Sequence, residues 1–232
     1  MSNLLKAECY KLFHSWYLGG IGAFNLLLSS VLLLDSHGET SNLFFASLYN
    51  TPILYFLTIV FSALFVGNDF GKRTLQSYIN AGHSRGKVLF VKLLVYQIAC
   101  MIILALPLLI HGLIGQLILK ETLVSIGGNL NTVIMTTVSL FAMCLLPFFF
   151  AFIFRDAGKT LAVPMVLFFL MIFLMNGDQV YFISQILPMG QLRLIALQQL
   201  DLSAMRFIFV DFLWIFILYW GAYLGFRRSD LK

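Results

Sequence analysis

Residues 93–117 read LLVYQIACMIILALPLLIHGLIGQL, twenty-five positions without an Asp, Glu, Lys or Arg. About 20 apolar residues are enough for a helix to cross a bilayer. The hydrocarbon offers no water to unpaired backbone amides, so a crossing segment is either a helix or part of a closed barrel. Barrel strands alternate in polarity. The runs MIILALPLLI (101–110) and PMVLFFLMIFLM (164–175) do not. Working outward, five more stretches have the same character: Trp16–Leu34, Pro52–Gly67, Thr132–Phe154, Leu161–Asn176 and Phe207–Phe226. With Leu93–Leu117 they predict six transmembrane helices, an all-α polytopic membrane protein forming one domain over 1–232.

Composition agrees. The chain of 232 residues is 60% hydrophobic and 11% charged, with 24 Phe, against about 45–50% and about 25% in soluble domains. A single small core cannot hide that much apolar surface from water. The net charge of +5 reflects loops between apolar runs, which explains it better than nucleic-acid binding does. Lys6, Lys11, Lys72, Arg73, Arg85, Lys87, Lys92, Arg155, Lys159, Arg227, Arg228 and Lys232 fall in one set of loops and termini; Lys120, Arg193 and Arg206 fall in the other. Twelve against three predicts both termini on the cytoplasmic side. Cys9, Cys100 and Cys144 lie in no external loop, so no disulfide framework is expected. The opening MSNLLKAECYKLFHSW does not read as a signal peptide. Pro52 is expected in the first turn of span two. Pro107 and Pro147 lie deeper and are expected to bend their helices. Gly221 and Gly225 form a G-x-x-x-G that can draw two helices together, a second copy being one candidate. Trp16, Tyr17, Trp214, Tyr219, Trp220 and Tyr223 near span ends suit an interfacial belt.

Three segments are not spans. In 1–15, Leu4, Leu5, Leu12 and Phe13 alternate with Lys6, Glu8 and Lys11, as expected of an amphipathic helix on the membrane surface, with Glu8 and Lys11 spaced to pair. In 68–92, Asp69 is expected to open a short cytoplasmic helix with Leu75, Tyr78 and Ile79 on its apolar side. Gly82 stops that helix, and Ser84 and Arg85 lead into span three. In 177–206, two short amphipathic or re-entrant helices are expected, one around Ile183, Ile186 and Leu187 and one around Leu192, Ile195 and Leu197.

Few residues promise chemistry. Asp211 lies about one turn into span six, where an ionisable group is a functional candidate, although pairing with Arg206 or reaching headgroups would account for it. His111 reads as a packing residue, and His14, His37 and His83 show no metal spacing. No nucleophile elbow, H-E-x-x-H or G-x-x-x-x-G-K-[ST] phosphate loop is present.

Glu8 and Lys11, then Asp69, Lys72, Arg73 and Thr74, then Gly82, Ser84, Arg85 and Lys92, set on six spans, resemble the ABC-2 type permease family, the membrane subunits of ABC exporters. The small size resembles the members tied to antimicrobial-peptide or bacteriocin export or immunity. The resemblance implies a multi-pass subunit in the bacterial plasma membrane, partnered by a second membrane subunit, identical or related. A cytoplasmic ABC ATPase would bind ATP-Mg, so this chain would be no enzyme and would hold no cofactor. The resemblance implies that Asp69, Lys72, Arg73, Thr74, Tyr78, Ser84 and Arg85 form the coupling element that meets the ATPase. The cargo would be a hydrophobic compound or an amphipathic peptide. A non-transporting membrane scaffold or sensor that recruits a cytoplasmic partner fits the same surfaces.

Overall fold

A computed structural model of the chain describes residues 2–35, 40, 42–120, 130–176, 180–199 and 204–228. His37, Lys232 and positions 177–179 and 200–203 of the segment between spans five and six fall outside the described residues. Helix α1 (Ser2–His14) leads through Ser15 into α2 (Trp16–Asp35). Next come α3 (Leu43–Leu54) and α4 (Phe56–Ser62), joined at Tyr55. Helix α4 passes through a π-helical turn, Ala63–Gly67, into the short α5 (Asn68–Gly71). There follow α6 (Thr74–Asn80), α7 (Arg85–Leu117), α8 (Leu130–Phe154), α9 (Ala157–Leu174), α10 (Val180–Ile186), α11 (Pro188–Ala196) and α12 (Ala204–Arg227). No strand occurs among the described residues.

Among the described residues five helices, α2, α7, α8, α9 and α12, are long and apolar enough to cross a membrane. A sixth crossing is available to the pair Leu43–Leu54 and Phe56–Gly71, which are bent by 49°. The chain is thus an all-helical, multi-pass membrane protein. The bent pair corrects the expected second span. Pro52 does not open it; it sits near the end of α3, ten residues into the helix that starts at Leu43. Its missing N–H leaves a carbonyl one turn back without its helical partner, and the bend follows at Tyr55. Pro107 and Pro147 lie inside continuous helices. Helix α7 starts at Arg85 instead of Leu93, which adds eight residues, about 12 Å at 1.5 Å each. Lys87 and Lys92 therefore ride on a helix rather than in a loop.

The interior is built on α7 and α8, each with 56% of its most apolar window buried inside the protein, against 11% for α2, 17% for α9 and 22% for α12. An aromatic column ties the centre together. Its ring centroids lie 5.2 Å apart for Phe61–Phe65, 5.8 Å for Phe61–Tyr96, 5.4 Å for Tyr96–Phe148, 4.7 Å for Phe148–Phe152 and 5.1 Å for Phe152–Phe226. Such pairs add about 0.5–1.5 kcal/mol each beyond area burial. Gly221 and Gly225 let α12 close on α8 of the same chain: a Cβ there would stand 2.6 Å from the Phe149 ring and 2.8 Å from Ile153. Of the helix contacts open to it, the G-x-x-x-G makes this one within the subunit.

Arginines close the helix ends. Arg85 Nη1 donates to the carbonyls of Phe226 (3.0 Å) and Arg227 (2.8 Å), and Arg155 Nη2 donates to that of Gly225 (3.1 Å). These are terminal carbonyls of α12, where a cation also meets the negative end of the helix dipole. The start of α7, the end of α8 and the end of α12 thus share one end of the bundle, the basic end. At the far end Arg193 donates to the Met175 carbonyl (3.1 Å) and to the Tyr49 hydroxyl (3.3 Å). Helices α10 and α11 are two short helices at the expected place, with Pro188 opening α11. Helix α11 packs on α3 and α8 and buries Met189, Leu192, Leu194 and Ile195.

Candidate functional site: a buried charge cluster beneath a short helix

Helix α1 docks through Leu4, Glu8 and Leu12, all buried. They are spaced four apart and so share one face. Tyr10, Phe13 and the neighbouring Trp16 are exposed instead. The docked face is therefore a protein contact, chiefly with α7, and its central residue carries a charge. A carboxylate on such a stripe needs a cation. Lys92, two turns into α7, supplies it: Nζ lies 2.8 Å from Glu8 Oε2 and 2.5 Å from Asp69 Oδ2. The same ammonium sits 3.7 Å above the centre of the Phe65 ring, a favourable cation–π position. Lys11 closes the group by pairing with Asp69, 5.3 Å from the centre of the Phe65 ring. Two acids and two bases balance. Glu8, Asp69 and Lys92 are each about 1% exposed.

The backbone delivers Asp69 to this place. A π-helical turn carries i→i+5 hydrogen bonds and re-phases the helix beyond it; Ala63–Gly67 does so just before Asp69. Asp69 then lies in α5, buried, which corrects its expected position at the exposed start of the coupling helix. Arg73 takes a left-handed conformation (φ 55°) and breaks the chain between α5 and α6. Helix α6 begins at Thr74. It ends as expected at Gly82 (φ 88°), with the Gly82 N–H donating to the Ile79 carbonyl (2.9 Å) and the His83 N–H to the Tyr78 carbonyl (3.2 Å). This is the Schellman pattern.

Helix α6 buries Leu75 and leaves Ser77 and Asn80 exposed, as are Lys72 and Arg73 just before it. Tyr78 points back to the cluster and hydrogen-bonds the Glu8 side chain. Burial, then the charge of Glu8 and this hydrogen bond, and then the charge of Asp69, hold its phenol well above the ordinary value. Tyr78 therefore stays protonated, with its O–H toward Glu8. The cluster thus joins α1, α5, α6 and α7 at one point.

Seven residues were expected to face an ATPase. Lys72, Arg73 and Ser84 are exposed and Thr74 is half-buried. Tyr78 and Asp69 turn inward. Arg85 caps α12, a correction to its expected docking role. Glu8 and Lys11 pair with Lys92 and Asp69 instead of with each other, because their helix lies on a protein surface carrying both opposite charges. Phe65 was missed: one Phe among many carries no signal. The stripe Leu4–Glu8–Leu12 did carry one, since a charge in phase with two buried leucines implies a buried partner.

Asp211 is fully buried. Ser139 Oγ lies 2.5 Å from its Oδ2 and 3.2 Å from Gln191 Oε1, so one hydroxyl hydrogen faces two acceptors. Asp211 Oδ1 has no hydrogen-bond partner. Pairing with Arg206, which is exposed, does not occur; burial against α8 places the carboxyl out of its reach. His111 is held between Ser47 and Ser30 hydroxyls at 3.1 Å each, a satisfied packing histidine. Among the described residues no group of three or more His, Cys, Asp or Glu could hold a metal, and Cys9, Cys100 and Cys144 are free thiols. Compared with protein-family models and with characterised protein sequences, the chain matches none.

Proposed function

We propose that this chain is the membrane-spanning subunit of an ATP-driven exporter of the ABC-2 type, working beside a separate cytoplasmic ATPase that holds ATP-Mg. The observation that carries the reading is the joint beneath α6: a short helix preceded by the exposed Lys72 and Arg73, whose inward Tyr78 meets a charge-balanced cluster on α1, α5 and α7. A partner that pushes on α6 moves Tyr78 and Glu8, and through Lys92 it moves α7, one of the two most buried spans. Lys72 and Arg73 meet acidic groups on the ATPase; exposed charges of this kind set register and encounter more than affinity. The twelve-to-three asymmetry of Lys and Arg supports a cytoplasmic basic end with both termini there, in a bacterial plasma membrane. Two such subunits rock against each other to open a path for a hydrophobic compound or an amphipathic, antimicrobial peptide, in export or immunity. Largely uncharged spans suit that cargo.

Reversing both exposed charges, Lys72→Glu with Arg73→Glu, is expected to leave insertion and folding intact while transport falls at least about tenfold relative to ATP hydrolysis, the equivalent of about 1.4 kcal/mol of coupling. The measurement is ATPase activity and cargo movement in proteoliposomes holding both subunits. Unchanged transport in the double variant would overturn the coupling role. Purification of the chain with no nucleotide-dependent partner would favour a recruiting scaffold.

A further inference from the structure

The side chains around Asp211 have fewer hydrogens than their oxygens require. Ser139 on α8, Gln191 on α11 and Asp211 on α12 are all fully buried. They meet at the Ser139 hydroxyl, whose oxygen lies 2.5 Å from Asp211 Oδ2 and 3.2 Å from Gln191 Oε1. The Gln191 amide has only one workable orientation. Its Nε2 donates to the Gln185 carbonyl of α10 (3.1 Å), and a flipped amide would set oxygen against oxygen there. Gln191 therefore offers Ser139 an acceptor. An ionised Asp211 offers a second, and Ser139 owns one hydrogen. One of the two O···O contacts would then hold no hydrogen. The carboxylate would also be left with a shared donor on Oδ2 and none on Oδ1. A buried charge so poorly met is costly, most of all at membrane depth.

No cation among the described residues offsets that charge. Helix α12 packs on α8, α7 and α10. Helix α8 carries no Asp, Glu, Lys, Arg or His between Leu130 and Phe154. The cations of α7 lie at the basic end, and its His111 is held by Ser30 and Ser47. Tyr181 of α10 and Arg206 of α12 are exposed. Arg193 of α11 turns away to Tyr49 and the Met175 carbonyl.

We propose that Asp211 is a proton-binding site: in the folded chain it is a neutral acid, its O–H donating to Ser139 Oγ and the Ser139 hydrogen passing on to Gln191 Oε1. A single proton removes both faults, since it supplies the missing hydrogen and discharges the carboxyl. The donors then run one way, from Asp211 through Ser139 and Gln191 to the Gln185 carbonyl, and tie α12 to α8, α11 and α10. Oxygens 2.5 Å apart are at the short end of O–H···O bonds, with room between them for a hydrogen and not for a metal ion. The site stands whether or not the chain works beside an ATPase.

Infrared spectra of the full chain test this, native against Asp211→Asn, in alkyl maltoside micelles, which carry no carbonyl of their own. At about pH 7 exposed carboxyls are ionised. The native chain is expected to keep a carboxylic-acid carbonyl band there, one that shifts in D2O and is lost from Asp211→Asn. In Ser139→Ala the band should remain but move to higher frequency, because the acid loses its acceptor. A native chain with no acid band at that pH would overturn the proposal, as would an acid band that survives Asp211→Asn. A carboxylate band lost from Asp211→Asn, or one that answers to added sodium or magnesium chloride, would overturn it too; the latter would mark a cation site. If Asp211→Asn fails to assemble, the native acid band and its shift in Ser139→Ala decide.

Discussion

Among the described residues the molecule buries acids in two places, and it treats them differently. At the basic end Glu8 and Asp69 meet Lys92 and Lys11, over the face of Phe65. At the far end Asp211 meets a serine hydroxyl shared with Gln191 and no cation. The first arrangement is an ion cluster whose members depend on one another. The second is a neutral-style hydrogen-bond chain linking α12 to α8 and α11. Loss of a partner should therefore be severe in one place and mild in the other, because a stranded buried charge costs far more than a missing neutral bond.

The strongest test removes the shared cation. Lys92→Met is expected to destabilise the fold by about 3–5 kcal/mol, since it leaves the buried Glu8 carboxylate without a cation and takes from Asp69 one of its two. Thermal unfolding in detergent, compared with the native chain, reads this. Loss of less than about 1 kcal/mol would show that the cluster is solvated and that the comparison fails. Next, Tyr78→Phe removes one donor to a charged acceptor and should cost about 1–2 kcal/mol, with α6 loosened but the spans intact. Its pH dependence has a definite sign. The folded phenol is held above its ordinary 10.0, so the folded state keeps a proton that the unfolded state releases in that window. Stability supplied by Tyr78 is full below 10.0 and falls as pH rises beyond it. Tyr78→Phe should flatten that alkaline fall, read as the difference between the two unfolding profiles. The smallest effect belongs to the far end. Asp211→Asn keeps an acceptor for Ser139 and should change stability by less than about 1 kcal/mol. A loss as large as that of Lys92→Met would mean that Asp211 serves a cation and that the two sites are alike.

Much of this was legible beforehand, and the reasons are local. Long uncharged runs such as 93–117 dictate helices because lipid leaves the backbone no other way to satisfy its amides. Gly82 marks a stop because a left-handed residue there completes the end of α6. The α10–α11 pair is announced by Pro188 between two apolar patches. What stayed hidden depended on where helices meet. Asp69 looked like the start of an exposed helix because the π-helical turn that rotates it inward has no sequence signature in ALFVG. Arg85 looked like a docking residue because nothing near it in sequence shows that the end of α12, some 140 positions later, lies within its reach. Pro52 looked like the first turn of a span because its missing N–H costs nothing there, and nothing local showed that the helix had already begun at Leu43.

Sequence alone, then, settled the solvent and the existence of most of the helices, though not all of their bounds. Hydrophobicity and backbone hydrogen bonding act over neighbouring residues, and the chain carries that information position by position. Which charges find each other was decided only by tertiary packing. Glu8, Asp69 and Lys92 come from three separate helices, and their balance exists only once α1 is laid across α7. The same holds for Gly221 and Gly225: the motif permits a close helix contact, but only the folded chain chooses α8 as the helix that fills it.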